Sequence, residues 1–225
     1  MRRMPDGRNA WLAGATGLVG RELLALLLAS DRYAELHVLL RRAASGLPAH
    51  RKLALHVVDF AALPANLPPA EDVYIALGTT IKVAGSQAAF RAVDFDAVVD
   101  TARAARAAGA RRLAVVSALG ADATSRVFYN RVKGEMQDAL AQLGFETLVI
   151  AQPSLLVGDR AALGQPARAG EVWAERLLRP VMRLVPAAVR PIEARAVARS
   201  MFDAMQQARP GRRILSSAQM QSVAR

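Results

Sequence analysis

Gly14-Ala15-Thr16-Gly17-Leu18-Val19-Gly20 follows the apolar run Ala10-Trp11-Leu12-Ala13 and leads straight into Leu18 to Ala29, a stretch of helical period. A strand that turns into a helix over Gly14, Gly17 and Gly20 leaves contact points without side chains. The helix start adds unpaired N–H groups and the positive end of its dipole, which together suit a pyrophosphate. The spacing alone also fits a tight turn in any α/β protein. Its place between an apolar strand and a Leu-rich helix makes it the fingerprint of a dinucleotide-binding unit.

Outward from that turn, short apolar runs alternate with stretches of helical period, which predicts a Rossmann-type, doubly wound parallel sheet of the α/β class. Ala10 to Ala13 reads as the first strand. Others are expected at Leu36 to Leu40, Leu53 to Val58, Val73 to Leu77, Leu113 to Val116, Thr147 to Ala151 and Arg213 to Leu215. Long helices are expected at Gln87 to Ala108 and Val127 to Leu143, each stopped by a glycine, Gly109 or Gly144. Pro64, Pro68 and Pro69 make the stretch from Leu63 an irregular crossover. Residues 1–225 read as a single NAD(P)-binding domain. Residues 152–191 form a small C-terminal segment that would cover a substrate, with a basic amphipathic helix over Glu171 to Val185 broken at Pro180. That helix could instead lie on a membrane surface, although Pro180 interrupts the face a bilayer would need.

Tyr129 and Lys133 form a Y-x-x-x-K pair on the second long helix, in a chain with only three tyrosines and three lysines. Residues four apart share a helix face. A tyrosine titrates near 10 and transfers protons poorly at neutral pH, but a neighbouring ammonium stabilises the phenolate, so Lys133 is expected to lower the Tyr129 pKa. In carbonyl reduction Tyr129 would protonate the oxygen while a nicotinamide delivers hydride, and Lys133 would hold the nicotinamide ribose. Ser117, at the end of the fifth strand, is placed to orient the carbonyl, and Thr124 and Ser125 compete for that role. Asp94, on the helix before that strand, is either an anchor behind Lys133 or a solvated charge.

The end of the second strand selects the cofactor. An acidic residue there binds the adenosine ribose hydroxyls, and a basic one accommodates a 2′-phosphate. Arg41 and Arg42 stand at this point and no acid occurs between Leu36 and Val58, so NADP(H) is expected ahead of NAD; two solvated arginines are the alternative. Asp59 and Phe60 could hold the adenine. Leu77 and Gly78 could pass beneath the pyrophosphate, or Gly78 could be a plain left-handed turn.

With these residues placed, the chain resembles atypical members of the short-chain dehydrogenase/reductase superfamily. Within them it is similar to the branch containing the HIV Tat-interacting tumour-suppressor oxidoreductase and its bacterial relatives. The likeness rests on Gly14 to Gly20, Leu40-Arg41-Arg42, Val58-Asp59-Phe60, Leu77 to Thr80, Val93-Asp94, Ser117 with Gly120-Ala121-Asp122, Tyr129 to Glu135, and Arg168 to Glu171. It implies that Thr16, Gly17, Leu18 and Val19 contact the phosphates, Arg41 and Arg42 the 2′-phosphate, and Leu77 and Gly78 the cofactor backbone. It also implies that Leu156 and Arg168 close over the nicotinamide, and that Asp94 stands where the superfamily usually has a catalytic Asn. The chain departs from the pattern at Ser117-Ala118, where many relatives have two serines, and at Gln152-Pro153-Ser154, where Arg-Pro-Gly is common.

An NADPH-dependent oxidoreductase of a small carbonyl or alcohol is therefore expected. A redox sensor or scaffold that passes its NADPH state to a protein partner is the alternative, followed by a nucleotide-sugar epimerase or dehydratase. The net charge of +11 is spread along the chain rather than clustered, which argues against nucleic acid as a partner. The absence of cysteine rules out disulfides and thiolate metal sites, and no metal site is expected. The apolar stretch Leu23 to Ala29 is too short to span a bilayer, so a cytoplasmic protein without stable membrane insertion is expected, as a monomer or a homodimer.

Overall fold

The computed structural model describes residues 7–157, 186 and 188–223. Arg168 and the expected helix over residues 171–185 lie outside the described residues.

Seven strands form one parallel sheet: β1 (Arg8–Ala13), β2 (Tyr33–Leu40), β3 (Leu53–Val57), β4 (Asp72–Ile75), β5 (Arg112–Val116), β6 (Thr147–Gln152) and β9 (Gly211–Ser216), in the order β3-β2-β1-β4-β5-β6-β9. Each coincides with an expected strand to within a few residues. A two-stranded parallel ribbon joins β7 (Leu156–Val157) to β8 (Ile192–Glu193). The sheet reverses its order between β1 and β4, the switch point beyond which open α/β sheets bind ligands.

Side chains alternate across the strands and feed two cores. On one face Leu12, Val38, Tyr74, Ala114 and Val149 pack with helix α1 (Leu18–Ala29). On the other, Trp11, Leu39, Val73, Leu113 and Ile150 pack with the helices that follow β4 and β5. The chain from Val58 to Glu71 crosses over without a helix, as its prolines require, and the Pro68 carbonyl accepts the indole N–H of the buried Trp11 at 2.9 Å.

Three features depart from the expected layout. The long helix from Gln87 is interrupted: α3 (Gln87–Arg91) and α4 (Ala97–Ala107) are joined by a π-helical turn, Ala92–Asp96, which inserts a residue into the helical repeat. A short helix, α2 (Ile81–Ala84), precedes them. The unforeseen helix α6 (Ala194–Gln207) buries Val197, Met201 and Met205 against Leu23 and Leu27 of α1. Helix α5 (Phe128–Ala141) forms within its expected span, and both stop glycines are left-handed, Gly109 at φ 100° and Gly144 at φ 69°.

At the edge where the strands begin, Asp72 is fully buried and receives the Tyr33 hydroxyl at 2.6 Å and the Arg112 guanidinium at 2.5 Å. The Tyr74 hydroxyl lies 2.9 Å from that of Tyr33, which also accepts from Gln206 of α6 at 3.1 Å. Polar groups taken out of water are thereby satisfied by one another.

Helix α1 approaches the glycine turn so closely that a Cβ on Gly20 would overlap the carbonyl of Gly14. Gly20→Ala is expected to lower stability by about 1–3 kcal/mol through this overpacking, measured by urea unfolding. Ala at Gly46, which faces open space, tests only the cost of a left-handed backbone.

Candidate functional site

Parallel strands deliver their C-terminal ends to one edge, and those residues singled out in the sequence that the structure describes gather there. Gly14, at φ 89°, sits so tightly on β4 that a Cβ would lie 2.5 Å from the Ala76 carbonyl. Gly14 and Gly20 are thus demanded by the fold. Gly17 is not: a Cβ there would meet nothing nearer than the Gly14 carbonyl oxygen at 3.4 Å, so the space in front of it is left clear by the protein itself. Gly17 is the N-cap of α1 and offers no side-chain cap to the first N–H groups of the helix, those of Leu18, Val19 and Gly20. Thr16 is exposed on the approach, and Leu18 is half-buried behind it.

Arg41 and Arg42 follow β2 directly and are exposed. Because Ala13 pairs with Leu39 across the β1–β2 register, the two arginines lie beside the glycine turn. Asp59 follows β3, and its Oδ1 accepts the Ala61 N–H at 2.9 Å, so part of the carboxylate is used to shape its own turn; Phe60 is half-buried against the core. Leu77 and Gly78 follow β4. Gly78 is not left-handed, which removes the plain-turn reading, and a Cβ there would come within 3.4 Å of Asp94 Oδ1.

The π-helical turn carries Asp94, and Asp94 is not a solvated charge. It is 1% exposed; Oδ1 lies 2.7 Å from Lys133 Nζ and Oδ2 accepts the Thr79 N–H at 2.9 Å. Three segments are therefore tied at one carboxylate: the loop after β4, the π turn and α5. Tyr129 stands one turn before Lys133, half-buried, with its ring 5.3 Å from that of the buried Phe90.

The expected lowering of the Tyr129 pKa is not found. Burial pushes the Tyr129 phenol up to about 12, and the negative charge of Asp94 adds to the rise. The ammonium that was expected to lower it is already matched by a buried carboxylate. Sequence spacing shows which residues share a helix face. It does not show a partner delivered from another helix.

Ser117 follows β5 and is buried, its N–H bonded to the Ala151 carbonyl at 2.7 Å. Its Oγ accepts Gln137 Nε2 at 2.6 Å, and Gln137 Oε1 accepts Gln152 Nε2 at 3.2 Å. The sequence reading missed Gln137, although it lies at the next i, i+4 step after Tyr129 and Lys133. The competing hydroxyls have local tasks: Thr124 Oγ1 donates to Asp122 Oδ1 at 2.8 Å, and Ser125 Oγ accepts the Val127 N–H at 3.2 Å. Gly134 lets this loop lie on α5, since a Cβ there would overlap the backbone of Asp122 and Ala123. Leu156, on β7, is half-buried and pairs with Ile192. Among the described residues no helix is long and apolar enough to cross a membrane.

Known proteins share both the sequence and the fold. The family model described as NAD(P)H-binding matches residues 14–153. "Protein FMP52, mitochondrial" of Coccidioides immitis is 35% identical over an alignment of 162 residues that covers 66% of this chain and 66% of that protein. "Protein fmp52, mitochondrial" of Emericella nidulans is 36% identical over an alignment of 168 residues that covers 72% of each chain. Among solved structures, MoeE5 in complex with UDP-glucose and NAD superposes with a TM-score of 0.68 at 15% identity, covering 92% of this chain and 75% of that one. WbmG of Bordetella bronchiseptica in complex with NAD gives 0.68 at 16%, covering 97% and 75%. The expectation of a cytoplasmic location is overturned by the relatives, which are named as mitochondrial proteins. A missing cysteine excludes disulfides without specifying a compartment.

Lys133→Met leaves Asp94 buried without its cation. It is expected to cost about 3–5 kcal/mol of stability, read as a lower denaturation midpoint at unchanged slope.

Proposed function

The chain belongs to the NAD(P)H-binding family, and from that membership we propose that it is an NADPH-dependent oxidoreductase of the atypical short-chain dehydrogenase/reductase type, acting on a small carbonyl or alcohol. The observation that carries this reading is the cleared space at Gly17, at the head of an uncapped helix and level with two exposed arginines. The uncapped N–H groups of α1 suit a pyrophosphate, and Gly17 lets it approach the backbone. Arg41 and Arg42 suit a 2′-phosphate, and the end of β2 has no carboxylate to bind ribose hydroxyls in its place.

When bound, the reduced nicotinamide supplies the hydride that a carbonyl carbon accepts. Tyr129 supplies the proton, and Phe90 fixes the plane of its ring. Lys133, held by Asp94, reaches the ribose. Ser117 orients the carbonyl. Gln137 donates to Ser117 Oγ and so leaves the serine hydroxyl proton for the substrate oxygen. Leu156, half-buried on β7, takes the nicotinamide end that the resemblance assigns to it.

Titration with NADPH and NADH, followed by nicotinamide fluorescence, is expected to show NADPH preference. That preference is lost in Arg41→Ala/Arg42→Ala, each charge-assisted bond contributing about 1.5–3 kcal/mol. Gly17→Ala is expected to abolish binding of both nucleotides with a stability change below about 1 kcal/mol. In a screen of aldehydes, ketones and quinones, Tyr129→Phe is expected to reduce turnover by about 10²–10⁴-fold. Equal rates in that variant would remove Tyr129 as the proton donor.

A further inference from the structure

Among the described residues, Lys133, Arg91 and Arg131 around Tyr129 are each matched. Lys133 of its own helix is 4% exposed and pairs with Asp94 of the π turn at 2.7 Å. Arg91 of α3 pairs with Glu135 of α5 and lies over the Phe95 ring. Arg131 donates to the Ser125 carbonyl at 3.0 Å and lies 3.9 Å from Glu135. Arg126, just before α5, is exposed to water, and Asp122 is engaged with Thr124 in its own turn. Among the described residues the Lys133–Asp94 pair is the one buried on both sides, and there a full neighbouring charge cancels the ammonium field in a medium that screens poorly. The Thr79 N–H holds the second carboxylate oxygen, so Asp94 cannot swing away from Lys133 without breaking that bond.

We propose that Asp94 is a positioning residue that cancels the charge of Lys133, keeps Tyr129 in its protonated form and so sets the site to work at neutral pH as a carbonyl reductase rather than as an alcohol dehydrogenase. This direction rests on the oxidoreductase reading above. Reduction needs a proton donor at the substrate oxygen. The Tyr129 O–H bond breaks as an O–H bond forms on that oxygen, the carbon having accepted the hydride from the reduced nicotinamide, and the phenolate then regains a proton from water. Oxidation of an alcohol needs Tyr129 already deprotonated, and the raised pKa makes that form scarce at neutral pH. The equilibrium between alcohol and carbonyl is unchanged. The pH at which each direction runs is what shifts: reduction stays available through the neutral range, and oxidation rises with pH as the phenolate forms.

The chain makes this testable without a substrate, because it has three tyrosines and the other two are also raised. Tyr33 and Tyr74 are pushed up by burial and by Asp72. Titration of the cofactor-free protein, followed in the near-ultraviolet phenolate band, is therefore expected to show no phenolate below the ordinary tyrosine value of about 10. Asp94→Asn, which unmasks Lys133, is expected to move one tyrosine equivalent down by about 1–3 pH units, and the moved equivalent disappears in Asp94→Asn/Tyr129→Phe. The same variant is expected to raise alcohol oxidation relative to carbonyl reduction at neutral pH. A phenolate transition below about 10 in the unaltered protein that vanishes in Tyr129→Phe would overturn the proposal, and this comparison does not depend on the folding of an Asp94 variant. A folded Asp94→Asn protein with an unchanged titration would overturn it as well. Failure to bind either NADPH or NADH would overturn the direction together with the oxidoreductase reading, while the tyrosine titration would still report the Asp94–Lys133–Tyr129 coupling.

Discussion

The rest of the site depends on how closely α1 approaches the turn that precedes it. A backbone carbonyl at Gly14 lies where a Cβ of residue 20 would otherwise stand, and residue 14 itself is wedged against the end of β4. Two glycines of the motif therefore serve packing, and the third, Gly17, is left without a neighbour to fit. Because helix and turn are locked together, the uncapped N–H groups of α1 are fixed in direction before any ligand arrives. A ligand that meets fixed donors loses less free energy to ordering them.

The same economy operates at Asp94. A π-helical turn is a costly irregularity in a helix that would otherwise run on, and such turns cluster at functional positions. Here the inserted residue brings a carboxylate between the Thr79 N–H and the Lys133 ammonium. The irregularity converts one helix into a support for two other segments, and the face of α5 that carries Tyr129 and Lys133 is tied to a residue nearly forty positions earlier in the chain.

Much of this was legible in the sequence, and the reasons differ from element to element. The seven strands and helix α1 announce themselves because burial on both faces of a parallel sheet demands unbroken apolar runs, and because glycine marks the turns. Gly109 and Gly144 could be read as stops for the same reason. Helix α6 was missed: Ala194 to Gln207 mixes Ala, Arg and Ser so evenly that its apolar stripe of Val197, Met201 and Met205 becomes obvious only against α1. At the site, spacing found Tyr129 and Lys133 because they lie on one helix. It gave the wrong sign for the Tyr129 pKa because the ring is buried on folding and Asp94 arrives from elsewhere, and it missed Gln137 because an amide near a serine has no signature until the strand and helix are brought together. Local periodicity encodes faces. Charge compensation is a property of the assembled fold.

The cluster around Asp72 ties the beginning of the chain to its end. Arg8 and Gln206 are joined by a hydrogen bond, Tyr33 accepts from the same glutamine, and the apolar face of α1 is covered by α6. As the polypeptide emerges during synthesis, the leucines of α1 (Leu18–Ala29) must wait until Ala194–Gln207 has been made before their covering helix exists. The first half of the sheet is born with an open apolar flank, which only the synthesis of α6 can close.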